Sequence, residues 1–360
     1  MSSLLSPLST LGCIGQVALE NHQLRLKGWV VSLEQGPATD FTIHIGDRTF
    51  TPDQIDLNIP SPDVNRLYPE LPGTKQARYL IWINLSPTEP QKLQDSLIRL
   101  TPHFGDRAGS PLFNLFSPTL PVPQQEYQFG VGDSFQFVAC DFLNHLVQRA
   151  KLQPTDTILD VGCGVGRIAY ALAYYIKPPG HYAGFDIVKD WIEWTQRSIS
   201  PQFPHFQFQQ IDLDNQVYNP SGTLKTPDFI FPYPDHSFDV VLLASIFTHI
   251  HGSEIRHYLD QIHRVLKPGG RCLCTAFLLN PESESFIQQG KSSQNLIYPI
   301  GEGFTSDPDH PENAIGFPES LLLDWIKNSG LQLSAYYPGW WCGRGWAISC
   351  QDMLVITKPE

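Results

Sequence analysis

No apolar run in these 360 residues approaches the roughly 20 needed to cross a bilayer as a helix. Basic residues are scarce: 24 Lys and Arg stand against 36 Asp and Glu, a formal net charge of −12. Non-specific nucleic-acid binding rests on neutralising phosphates, so a chain this acidic disfavours an RNA or DNA substrate unless it carries a local basic groove. The seven cysteines are odd in number, and none stands in a Cys-x-x-Cys pair. No His/Cys cluster accompanies them. They read as free thiols of a reducing compartment, and no metal site is expected. Met1 to Leu11 has no basic leader, and Pro7 interrupts its leucines, so a signal peptide is not expected and the predicted location is cytoplasmic. Internal repeats and low-complexity tracts are also missing.

What is present fills two domains. The first, residues 1–101, reads as β. Val17–Leu19, Leu24–Val31, Phe41–Ile45 and Tyr79–Ile83 have strand composition, several with period-two alternation, and Asn21-His22 and Gly46-Asp47 supply turns. Short strands at this spacing predict a small sandwich. Residues 102–126 gather Pro102, Pro111, Pro118, Pro121 and Pro123 and read as an extended linker. From 127 to 360 strand and helix alternate, which a parallel sheet requires. A helix is expected over Asp133–Lys151, capped by Asp133 or Ser134. Others are expected at Asp190–Ser200, Ser253–Leu266 and Pro318–Asn328. The third places Ile255, Tyr258, Leu259, Ile262, Val265 and Leu266 on one stripe. Cys272 and Cys274 fall inside an expected strand. Two last strands, near Leu331–Tyr337 and Asp352–Thr357, close the chain.

The second domain is organised around Thr157-Ile158-Leu159-Asp160-Val161-Gly162-Cys163-Gly164-Val165-Gly166-Arg167. This reads as an apolar strand, a turn of alternating glycines, and a helix opening at Arg167. Glycines allow a tight turn and let a ligand lie against the backbone. The free N–H groups of a helix start favour a negative group there. A dinucleotide fingerprint needs glycine at the sixth place of the turn, where Arg167 stands, so a nicotinamide-dependent oxidoreductase is the weaker reading. Three expected strands in succession end in an acid: Asp160, Asp186 and Asp212.

Leu159–Gly166 resembles the first motif of class I S-adenosylmethionine-dependent methyltransferases. Phe231–Val241 is similar to their fourth-strand region, and Arg264–Gly270 to the turn before their fifth strand. The resemblance implies an α/β, Rossmann-like sheet of seven strands, the last pair antiparallel, behind a small all-β domain. It implies S-adenosylmethionine as cofactor. Its amino-acid end would lie on Gly162, Gly164 and Gly166, with Asp160 near the ammonium. Asp186 would accept the ribose hydroxyls, and Ile187 would cover the adenine. Asp212 would take the adenine amine with Leu213 beside it, and Ala244 would close the site after the fourth strand. His249 is the candidate base for a hydroxyl acceptor; His251 shares its rim, and Tyr233 is a weaker alternative. Each acid also has a plain reading as a cap or turn residue, and His249 as a loop residue bonded to backbone.

Tyr336–Trp346, rich in aromatic rings and holding Arg344, suits either stacking on a sugar or aromatic acceptor or packing of the last hairpin. Gly28-Trp29-Val30, with Pro62 to Pro69, resembles small β-domains appended to bacterial glycan-assembly enzymes, and Asp214–Gly222 resembles methyltransferases found with glycan genes. The expected activity is methyl transfer to a small-molecule or glycan acceptor, with protein or glycan contact through the β-domain. The alternative is a nucleotide-binding scaffold without catalysis.

Overall fold

A computed structural model describes residues 8–124, 135–345 and 347–360. The expected caps Asp133 and Ser134, and Trp346, lie outside them. The chain divides into two compact units.

The first unit holds two antiparallel sheets around one core. Alternation decides which residues enter it. Phe41, Ile43 and Ile45 of the strand Asp40–Ile45, and Tyr79, Ile81 and Ile83 of Arg78–Asn84, are buried while their neighbours are not. Leu24 and Leu26 join them from Gln23–Ser32, and Ile98, Leu100 and Phe104 from Ser96–Phe104. The first part of the expected linker is therefore strand: Ser96–Phe104 runs through Pro102, whose carbonyl takes the Gly109 N–H, and Leu112–Phe116 pairs beside it. The helices Phe135–Gln148 and Arg167–Tyr175 belong to this unit. Tyr170 ties the second of them down, through its hydroxyl on the Leu120 carbonyl and its ring edge on Phe135.

The second unit is built on a seven-stranded sheet. In chain order its strands are β1 (Thr157–Val161), β2 (His181–Asp186), β3 (Phe206–Gln210), β4 (Phe238–Leu243), β5 (Leu266–Ala276), β6 (Gln332–Tyr337) and β7 (Asp352–Thr357). They lie in the order β3-β2-β1-β4-β5-β7-β6. The first five run parallel; β7 pairs antiparallel with both β5 and β6, as expected. The order reverses between β1 and β4, which opens a crevice at their carboxyl ends, the place where such sheets bind ligands. Helices α1 (Lys189–Ser198), α2 (Gly252–Val265) and α3 (Glu319–Asn328) connect the strands. The stripe on α2 is buried as read, and the Lys358 ammonium caps its last turn through the His263 and Leu266 carbonyls.

Between β5 and α3 the chain inserts a helix, Pro281–Gln288, and a small four-stranded sheet. No pattern in the sequence marked this sheet, because its strands are only two to four residues long. The Trp341 indole is fully buried and donates to Asp352, which also takes the Gly339 and Leu278 N–H groups. Trp341 thus packs the last hairpin, while Trp340 remains exposed. Among the described residues no helix is long and apolar enough to cross a membrane.

Candidate active site

Strand β1 ends because Gly162 adopts a φ of +71°, a region closed to most side chains; Gly164 and Gly166 follow at +55° and +70°. The turn is tied to the end of β2. The Gly162 and Cys163 N–H groups both reach the Phe185 carbonyl, at 2.9 and 3.0 Å, and the Gly164 N–H donates to Asp186 Oδ2 at 2.8 Å. A Cβ on Gly162 would lie 2.1 Å from Ile246 Cδ1, whereas one on Gly164 would meet only Trp191 Cε3, at 4.0 Å. The turn is closed on one side and open over Gly164. Gly162→Ala is therefore expected to cost about 1–3 kcal/mol of stability by urea unfolding, from strain and clash together. Gly164→Ala meets no clash, so it is expected to cost only the backbone strain of its positive φ, about 1 kcal/mol, but to bind S-adenosylhomocysteine at least tenfold more weakly by calorimetry.

Two of the three predicted acids converge beside this turn. Asp186 holds Gly164 through one oxygen and the Val188 N–H through the other, at 2.9 Å, and the Ile187 N–H also acts on it, which leaves part of its accepting capacity unused. Burial pushes its carboxyl above the usual range. Asp160 is only 1% exposed and accepts the Tyr182 hydroxyl at 2.7 Å. Burial pushes its carboxyl up to about 7, against the pull of that hydroxyl, and Asp186 adds to the rise. Among the described residues the groups acting on this pair are a hydroxyl, backbone N–H groups and each other, so the negative charge beside the turn has no positive partner on the protein side.

Asp212 is placed differently. Asn219 donates to one of its oxygens at 3.2 Å and the Thr223 hydroxyl to the other at 2.7 Å, which holds its carboxyl below the usual range. Its hydrogen-bonding capacity closes the loop that follows β3. Leu213 is buried there and bridges Leu224. Ile187 is half-buried against the sheet core, and Ala244 directly follows β4.

The loop closed by Asp212 presents Tyr218, which sequence reading had not singled out. Its ring stands 6.2 Å from Trp191 and 5.9 Å, edge-on, from His249. Trp191, Tyr218 and His249 thus form a wall that begins over Gly164. Burial raises the Tyr218 hydroxyl, and both Asp186 and Glu312 add to the rise, so that hydroxyl lies within electrostatic reach of the glycine turn and of the small inserted sheet.

His249 follows a sharp turn after β4 in which Ser245 takes a φ of +61°, held by Thr275 through its N–H and Gln351 through its hydroxyl. Its Nδ1 lies 2.7 Å from the Glu312 carbonyl. A carbonyl only accepts, so Nδ1 carries the proton and Nε2 the free lone pair. Burial lowers the imidazole pKa, partly offset by that hydrogen bond. His251 instead starts α2: its N–H donates to Glu254 at 2.7 Å. Tyr233 packs edge-on against Phe238, and burial holds its hydroxyl far above neutrality.

A family model described as a methyltransferase domain matches residues 158–270. That range runs from the glycine turn through His249 to the β5 turn. Residues 158–270 thus form a methyltransferase domain. A demethylmenaquinone methyltransferase of Symbiobacterium thermophilum is 30% identical over 128 residues, 36% of this chain and 45% of that protein. A tRNA N(3)-cytidine methyltransferase, METTL2, of Danio rerio is 26% identical over 265 residues, 66% of each chain. A solved S-adenosylmethionine-dependent methyltransferase from Methanosarcina mazei is 21% identical with a TM-score of 0.41, covering 58% of this chain and 94% of its own. The chain spans about half to two-thirds of the length of the curated relatives it matches. The methyltransferase domain's cofactor is S-adenosylmethionine, and the residues present suit it: open space over Gly164, and two buried carboxylates, Asp160 and Asp186, beside the turn without a cation among the described residues.

Proposed function

We propose that this protein transfers the methyl group of S-adenosylmethionine to a hydroxyl of a small-molecule or glycan acceptor. The observation that carries the reading is the continuity of side chains from Gly164 through Trp191 and Tyr218 to His249. Gly162, Gly164 and Gly166 bind the amino-acid end; Asp160 compensates its ammonium; Asp186 orients the ribose; Ile187, Asp212 with its loop, Leu213 and Ala244 line the nucleoside. When bound, the cofactor supplies a methyl on a sulfonium, already a good leaving group, so placement provides most of the rate. His249 Nε2 accepts the acceptor's proton, and the Glu312 carbonyl keeps the ring in the tautomer that can do so. The net charge of −12 favours an acceptor other than nucleic acid, and the free thiols favour a reducing, cytoplasmic setting. The β-sandwich is an accessory unit for protein or glycan contact.

Calorimetric titration with S-adenosylhomocysteine, followed by a mass-spectrometric search for methyl gain in metabolite and glycan pools, tests the reading. Millimolar ligand without heat would end it. Binding without transfer to any acceptor would favour a scaffold role. The titration also carries a pH signature. Below about 7 the cofactor-free chain holds a proton on Asp160. An ammonium beside that carboxylate favours its charged form, so binding releases the proton. Affinity is expected to rise as pH passes upward through about 7 and then level. The binding enthalpy at pH 6.5 is expected to vary with the buffer's ionisation enthalpy, and Asp160→Asn to abolish both effects.

A further inference from the structure

Two buried side-chain polar atoms among the described residues of the second unit have no hydrogen-bond partner: Thr248 Oγ1 and Glu312 Oε2. They lie at one place. The Ile315 N–H donates to the Thr248 carbonyl at 2.8 Å, and the Glu312 carbonyl takes His249 Nδ1–H. Glu312 is 8% exposed, and its other carboxylate oxygen is 3.8 Å from His251 Nε2, beyond hydrogen-bond length. Nearby cations and donors are committed elsewhere. Lys225 pairs with Asp214 at 2.5 Å, and the Thr226 hydroxyl donates to Glu254. Burial, Glu254 and Asp214 all disfavour charge on Glu312; His251 and the Gln216 N–H only partly oppose them. A buried carboxylate oxygen without a donor, as Oε2 is here, is costly, and such groups persist where a ligand supplies the missing partner.

We propose that Glu312 receives a protonated amine of the acceptor, making the acceptor an amino alcohol or amino sugar whose hydroxyl faces His249. One residue then serves both ends. Its peptide carbonyl fixes the imidazole that takes the hydroxyl proton, and its carboxylate fixes the ammonium, so the two acceptor groups stand a few bonds apart. An ammonium restores the charge balance that Glu254 and Asp214 upset, and a neutral donor does not. This inference rests on the methyl-transfer reading and narrows its substrate class.

The test uses the full chain saturated with S-adenosylhomocysteine and follows the thermal midpoint with glucosamine, galactosamine, ethanolamine and serinol, each against its N-acetylated twin. At least one amine is expected to raise the midpoint, with an affinity at least tenfold above that of its twin. Glu312→Gln is expected to erase that difference while binding S-adenosylhomocysteine as the parent does. Equal responses to amine and twin, no response to any amine, or an unchanged preference in Glu312→Gln would overturn the proposal. Should that variant fail to fold, the comparison of amine with twin on the parent chain decides alone. The midpoint rise caused by S-adenosylhomocysteine itself is a separate arm, and its absence would instead remove the methyl-transfer reading.

Discussion

Asp186→Ala is expected to weaken S-adenosylhomocysteine binding at least a hundredfold. The carboxylate does two jobs. It fixes the glycine turn by accepting the Gly164 N–H at 2.8 Å, and it anchors the next turn through Val188 at 2.9 Å. In the proposed reading its remaining hydrogen-bonding capacity serves the ribose hydroxyls. Hydrogen bonds to a charged group contribute about 1.5–3 kcal/mol each, so losing two removes roughly two to four powers of ten in affinity. Asp212→Asn provides the contrast. Its oxygens serve Asn219 and Thr223, so that variant is expected to loosen the 213–225 loop and to reduce affinity by less than tenfold. Calorimetry on both variants, with urea unfolding as the control, separates the two roles. Equal large losses would mean that Asp212 serves the ligand as directly as Asp186, and equal small losses that neither acid touches the nucleoside.

His249→Ala is expected to lower kcat by about 10²–10⁴-fold, the usual range for removal of a positioned general base, while cofactor affinity changes less than threefold. His249→Gln keeps a polar side chain but no base and is expected to be equally slow. The pH dependence follows from the lowered imidazole pKa. The neutral form is the active one, so activity is lost as pH falls, with the midpoint of the acid limb below 6.5, and stays flat from 7 to 8. Stopped assays across pH 5–8 with the parent chain, at S-adenosylmethionine saturating at every pH so that the Asp160-linked change in affinity does not enter, locate the limb. A limb above 6.5, or one that persists in His249→Ala, would assign the proton transfer elsewhere.

The parts of this account visible in the sequence are those encoded by nearest neighbours. Gly162, Gly164 and Gly166 mark the turn because only glycine takes their left-handed backbone cheaply. The alternation of Phe41, Ile43 and Ile45 marks a strand, and the 3.6-residue stripe from Ile255 to Val265 marks a helix. Contacts made across long separations were not legible. Glu312 lies 63 residues from the His249 it orients, in an insertion whose strands are too short to show a period. Tyr218 gave no signal because its meaning depends on Trp191 and His249 meeting it in space. The prolines near 102–123 suggested a linker, yet Pro102 sits in a strand that offers the ladder its carbonyl alone. Asp212 follows its strand much as Asp186 ends its own, and nothing local distinguished a carboxylate that holds the glycine turn from one that closes a loop.

A crystal structure of the full chain with S-adenosylhomocysteine tests the central claim most directly. The account predicts the amino-acid end over Gly164 and both ribose hydroxyls within about 2.6–3.2 Å of the Asp186 carboxylate. A ligand bound away from the glycine turn, or a ribose with no contact to Asp186, would contradict it.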